Sequence, residues 1–232
     1  MLQIQKQLRA LASAESAANL QRYFKTAPGE YGAGDRFLGI KVPPLRALAK
    51  KYHEATLLEI ERLLHSEWHE ERLFSLLLLM QFYQRGNDAE QETAYQLYLA
   101  STAHLNNWDL VDVSAPHLIG RHLHDRPRDI LYQFAASTLL WERRIAIIAT
   151  FYFIRQNDFA DTLRLAEILL NDQHDLMHKA VGWMLREVGK RDVATEENFL
   201  QQHYRQMPRT MLRYAIERLP EPRRQAYLKG DI

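Results

Sequence analysis

Cysteine is absent from the 232-residue chain. That excludes disulfides, thiolate zinc sites, iron–sulfur clusters and a cysteine nucleophile. It agrees with a reducing compartment, and a cytoplasmic location is expected. Turn formers are scarce: nine glycines and eight prolines are roughly 7 % of the chain, against about 12 % in average usage. So few cannot supply the many tight turns of an all-β sandwich. Long hydrophobic runs are missing too. Stretches such as Leu76–Met80 fall far short of a membrane span, and the N-terminal MLQIQKQLRA has no apolar signal-peptide core. Neither sign of charge dominates: 30 Lys+Arg face 29 Asp+Glu, for a net charge of +1, unlike a dedicated nucleic-acid coat protein. There is no Walker loop, no G-x-G-x-x-G and no G-x-S-x-G.

What is present is helical periodicity nearly throughout. The spacing predicts helices over 2–25, 43–53, 56–65, 68–85, 90–101, 107–113, 116–124, 127–139, 141–155, 159–170, 174–190, 195–205, 208–218 and 221–228. Breaks fall at Pro28-Gly29, Gly86-Asn87-Asp88 and Asn157-Asp158, with Pro208 and Pro222 near helix starts. Tryptophans recur at Trp68, Trp108 and Trp141, and basic residues at Arg144 and Lys179, at the spacing of stacked helix pairs. The fold expected is all-α, an α-solenoid of HEAT-like repeats forming one domain over 1–232 with a concave basic groove; an irregular helical bundle is the alternative. Charge is uneven along the chain. Residues 156–178 carry one basic and five acidic residues, whereas 179–232 carry eleven basic and seven acidic. A local basic surface of this kind is compatible with a phosphate-bearing partner. No heptad seam implies obligate assembly, so a monomer is expected.

Three constellations could carry chemistry. On the helix containing 178–190, Ala180, Val181, Met184, Leu185 and Val188 share one face, while Lys179, Trp183, Arg186 and Lys190 form a stripe roughly opposite. An indole among cations suits phosphates and a flat or cationic ligand; it equally suits a packed Trp with snorkelling neighbours. In Asn107-Trp108-Asp109-Leu110-Val111-Asp112, Asn107 is a fit N-cap, and Trp108 and Asp112 stand one turn apart on one face. A π face beside a carboxylate suits a carbocation; Asp112 could instead cap a helix or pair with an arginine. Pro116 should bend or stop that helix. In Trp141-Glu142-Arg143-Arg144, an arginine opening a helix that is apolar all round would be held in a fixed pose for a phosphate oxygen, or would pair with an acid of 156–178. His122-x-His124 and the His174/His178 pair lack a third ligand, so no metal is expected. The acidic residues Glu67, Glu70 and Glu71 read as a solvated helix start.

Phe37-Leu-Gly-Ile-Lys-Val-Pro43, Trp108-Asp-Leu-Val-Asp112 with Pro116, Trp141-Glu-Arg-Arg144 and Lys179-Ala-Val-Gly-Trp183-Met-Leu-Arg-Glu187, taken together, resemble the AlkD-type DNA alkylation-repair glycosylases, which are built of HEAT-like repeats. The resemblance runs from about residue 20 to 190. It implies an enzyme that removes cationic N3- or N7-alkylated purines from duplex DNA by hydrolysis, without strand cleavage and without a cofactor. Carried over by motif, Asp112 resembles the catalytic carboxylate, and Trp108 and Trp183 look like aromatic walls at the sugar. Arg144 looks like a phosphate-holding arginine, and Tyr23 is similar to a tyrosine of the N-terminal part of the site. Tyr23 and the stripe cations Lys179, Arg186 and Lys190 are expected to contact DNA. The four central residues, Trp108, Asp112, Arg144 and Trp183, are expected in one solvent-open cleft. A non-catalytic HEAT-like DNA-binding module and a protein- or RNA-binding scaffold are the competing expectations.

Overall fold

The computed structural model describes residues 3–232, and among them every regular element is helical. The chain divides into two compact units, the first running to Ser114 and the second from Ala115 to Ile232. No helix is long and apolar enough to cross a membrane among the described residues.

The first unit begins with α1 (Gln3–Arg9) and α2 (Ala14–Tyr23). The predicted single helix over 2–25 is therefore broken. Ser13 turns extended and accepts the Ser16 amide as an N-cap, a competing hydrogen bond that serine offers readily. After a loop come α3 (Val42–Lys51), α4 (Leu57–Leu64), α5 (His69–Arg85) and α6 (Asp88–Ala100). Capping boxes start α4 at Thr56/Glu59 and α6 at Asn87/Glu90. A 3₁₀ turn over Thr102–His104 leads to α7 (Trp108–Ala115) at the boundary. Helix α5 packs against α3, α4 and α6 and is buried at every position from His69 to Leu79. It is the core of this unit.

In the second unit, Pro116–Gly120 is wound as a π-helical turn. Pro116 thus loosens the winding without ending the helix: Ala115 keeps α-helical angles, and the Arg121 amide reaches back five residues to the Pro116 carbonyl. Then follow α8 (Asp129–Ala135), α9 (Leu140–Ala149), α10 (Phe151–Arg155), α11 (Ala160–Ile168), α12 (Asp175–Gly189), α13 (Val193–His203), α14 (Arg209–Ala215) and α15 (Glu221–Lys229). The predicted helix over 141–155 is two helices that meet at Thr150, whose hydroxyl bonds the Ile147 carbonyl. Helix α12 is central here, touching α9, α10, α11, α13 and α14. Ala180, Val181, Met184, Leu185 and Val188 are all fully buried, the face expected from their spacing. Gly182 allows α14 to approach: a β-carbon there would meet the Met211 carbonyl at 2.4 Å.

Candidate functional site

In the first unit the site is built on the start of α7. The side chain of Asn107 accepts the Trp108 amide at 2.9 Å and its carbonyl accepts the Val111 amide, so Asn107 stands at the expected N-cap position. Trp108 and Asp112 then project one turn apart from the same helix face, both half-buried. The Trp108 ring leans on Phe24 (centroids 5.4 Å) and meets Tyr23 edge-on at 6.2 Å. Tyr23 is 64 % exposed, a large aromatic presented to solvent beside a half-buried indole. Three of the sequence-predicted residues, Tyr23, Trp108 and Asp112, are thus brought into one neighbourhood. Below Asp112 lies Tyr98, whose hydroxyl is 3.0 Å from that of Ser114. Burial and then the negative charge of Asp112 push the Tyr98 phenol up, so it stays a neutral hydroxyl beneath the carboxylate.

The elements around α7 are held by four consecutive residues at the start of α5. His69 places Nδ1 2.9 Å from Asp35 and Nε2 2.8 Å from Asp109. Glu70 accepts the amides of Leu38, Gly39 and Ile40 at 2.8, 2.8 and 3.0 Å. Glu71 accepts from Gln5, Arg9 and Ser66. Arg72 donates to Asp35 at 2.6 Å, Asn106 at 2.8 Å and the Ser66 carbonyl at 2.7 Å. This corrects the expectation of a solvated acidic start. Only Glu67 is solvated, paired with Arg36 across exposed surface; Glu70 and Glu71 are 1 % and 0 % exposed. A helix that is apolar on every side has no water-facing side at its first turn either, so its charges are buried with it and must be paired.

Phe24, Phe37 and Asp35 also belong to this site; Phe37 opens one of the stretches that carry the family resemblance, but no role was read for any of the three. Phe24 stacks on Phe37 at 5.1 Å, and Phe37 stacks on His69 at 4.4 Å. The available signal was the run His69-Glu-Glu-Arg72 itself, four polar residues opening a helix with no polar face.

In the second unit, α9 and α12 carry the remaining predicted residues. Arg144 is 5 % exposed and donates to the Leu176 carbonyl in the first turn of α12 at 2.6 Å, so it is held in a fixed pose. Its neighbour Arg143 is the one that pairs with the acidic stretch, through Asp172 at 2.6 Å. On α12 the cations are not bare. Lys179 pairs with Asp175 at 2.7 Å, Lys190 with Glu187 at 2.6 Å, and Arg186 with Glu217. Trp183 donates its indole N–H to Glu187 at 3.0 Å, and its ring lies 5.8 Å from Phe151. Arg155 stands over the Phe151 ring at 4.3 Å. The predicted stripe exists, but carboxylates offset its charge, Asp175 and Glu187 from one turn away and Glu217 from another element. The acidic run 156–178 is likewise spent locally, since Asp158 and Asp161 both hold Arg128, at 2.7 and 2.6 Å. No cluster of three or more His, Asp or Glu side chains suited to a metal ion occurs among the described residues.

The arrangement offers a carboxylate beside an indole and an exposed tyrosine on one unit. On the other it offers an anchored guanidinium, an indole and two lysines, Lys179 paired with Asp175 across exposed surface and Lys190 held by the buried Glu187. No curated protein matches the chain. Among solved structures it is similar to a predicted DNA alkylation repair enzyme from Enterococcus faecalis, with a TM-score of 0.72 and 21 % identity over 90 % of this chain and 97 % of that one. At that identity the likeness shows the shared all-helical fold. The family model for DNA alkylation repair enzymes matches residues 4–219, nearly the whole length, and on that match the chain belongs to the DNA alkylation repair enzyme family.

Proposed function

We propose that the protein is a monofunctional DNA glycosylase that excises cationic N3- or N7-alkylated purines from duplex DNA. One observation carries this beyond the family's role in alkylation repair: Asp112 lies one turn from Trp108 on a half-buried helix face, with Tyr23 at the edge of the indole. Alkylation at N3 or N7 gives the purine a positive charge, so it departs as a neutral base and needs no general acid. Positive charge builds instead on the deoxyribose as an oxocarbenium ion. A carboxylate near C1′ stabilises that charge and orients the attacking water. The indole faces of Trp108 and Trp183 favour a cation and exclude bulk solvent, each contributing about 1–2 kcal/mol when desolvated. Arg144 takes a backbone phosphate from its fixed pose, and Lys179, Arg186, Lys190 and Tyr23 add DNA contacts. No lysine is assigned a covalent role, so the product is an abasic site in an intact strand.

The test is release of 7-methylguanine or 3-methyladenine from alkylated duplex DNA, read by chromatography. Free base from the wild-type protein without strand nicking supports the function. Tight DNA binding with no base released would instead identify a non-catalytic DNA-binding helical module.

A further inference from the structure

His69 lies in the first turn of α5, its side chain 2 % exposed, and has a carboxylate at each ring nitrogen. Nδ1 is 2.9 Å from Oδ2 of Asp35, and Nε2 is 2.8 Å from Oδ2 of Asp109. A neutral imidazole has one N–H and would turn a lone pair towards one of these acids; only the imidazolium donates to both. The charges close locally, because Arg72 donates to the other oxygen of Asp35 at 2.6 Å. Two carboxylates thus face one imidazolium and one guanidinium. Oδ1 of Asp109 is buried with no donor among the described residues, so the proton on Nε2 is what compensates this acid. Asp109 follows Trp108 directly and sits in the first turn of α7. The other contacts of the imidazole ring are aromatic: Phe37 at 4.4 Å and Phe24 at 5.2 Å, and Phe24 is also the support of the Trp108 ring at 5.4 Å.

We infer that His69, as an imidazolium clamped between Asp35 and Asp109, is a positioning residue for the site, fixing the first turn of α7 and thereby the directions of Trp108 and Asp112. It reaches the indole by two routes, the charge pair to Asp109 and the aromatic stack through Phe24. Burial alone would strip its proton, but the Asp109 and Asp35 carboxylates outweigh burial and push the imidazole up to about 9. The clamp is therefore closed at neutral pH and opens in alkaline solution. This role rests on the glycosylase function proposed above for its catalytic consequence, but not for its structural one.

The experiment uses the full chain labelled with 5-fluorotryptophan, alongside His69→Gln and Asp109→Asn. The second variant cuts only the link to α7 and leaves His69 paired with Asp35. The Trp108 fluorine resonance, assigned by its loss in Trp108→Phe, is followed from roughly pH 6 to roughly pH 10. Expected is a wild-type titration with its midpoint near 9, absent or displaced in both variants. A fall of about tenfold or more in the single-turnover rate of base release should accompany it, with DNA affinity within about threefold of wild type. A neutral His69 ring at pH 7 in carbon NMR would overturn the inference. So would a Trp108 resonance and release rate unchanged in both folded variants. If the wild-type protein releases no base, the glycosylase function falls, and the fluorine titration still decides whether His69 positions Trp108.

Discussion

The Glu70 carboxylate holds Gly39 through its backbone amide at 2.8 Å. Gly39 occupies a left-handed conformation at φ 82° that allows this approach, and a β-carbon there would meet the Ser13 carbonyl at 2.1 Å. With the amides of Leu38 and Ile40 on the same carboxylate, one buried acid organises the loop that carries Phe37, and Phe37 supports both Phe24 and His69.

Glu70→Ala should therefore destabilise the protein by about 3–5 kcal/mol, because three buried amides lose their acceptor together. Glu67→Ala, three residues earlier, removes an exposed pair with Arg36 and should change stability by about 0.5 kcal/mol or less. Urea unfolding of the two variants measures the contrast; equal losses would mean that Glu70 is not buried as described.

Asp112→Asn should keep duplex DNA binding and slow base release by about tenfold or more, since the amide preserves size and removes the charge that opposes the oxocarbenium ion. Single-turnover release and a binding titration with the same alkylated duplex separate the two effects. Equal losses in both would assign Asp112 to binding.

Glu196 is 2 % exposed, and one of its oxygens has no hydrogen-bond partner. Burial first, then the charge of Glu197, push its carboxyl up to about 8 against the opposing pull of Arg186. A raised folded-state value means that the native protein holds this proton more tightly than the unfolded chain. Stability is then full below the unfolded value and falls as pH rises towards 8. Glu196→Gln should accordingly be neutral near pH 4.5 and stabilising by on the order of 2 kcal/mol at pH 8. Thermal unfolding at both pH values checks the sign.

The raised value of His69, about 9, acts in the same direction over a higher window. Its contribution is complete below about pH 6.5 and is lost as pH rises through 9. In a Glu196→Gln background, alkaline loss of stability should remain, and His69→Gln should remove most of its pH dependence. A flat profile in the single variant would show that His69 does not stay protonated.

Lys179→Ala and Lys190→Ala should each weaken DNA binding modestly and reduce the slope of log affinity against log salt by about 0.9 for each phosphate left without its cation. Their partners Asp175 and Glu187 make the effect smaller than that of removing a bare cation. Arg144→Ala should cost more, since its guanidinium is already anchored at the Leu176 carbonyl and gives up little entropy to grip a phosphate. An affinity insensitive to salt in the wild-type protein would remove DNA as the partner.

Much of the fold could be read from residue order, because helix formation is a local matter. Periodicity placed α12 and its buried face to within a residue or two, and the Trp108/Asp112 and Lys179/Trp183 registers need only the geometry of one helix. Helix ends were less legible where a side chain rivals the backbone, as Ser13 does before α2. The fate of charges was far less legible. Glu70 and Glu71 look in sequence like part of a solvated helix start, and Lys179, Arg186 and Lys190 look like a bare basic stripe. Whether a charge meets water or an opposite charge depends on partners far away in the chain: Asp109 lies 40 residues from His69, and Glu217 sits on a different element from Arg186. A charge pair gains its energy from distance in space, which chain folding sets and sequence spacing does not.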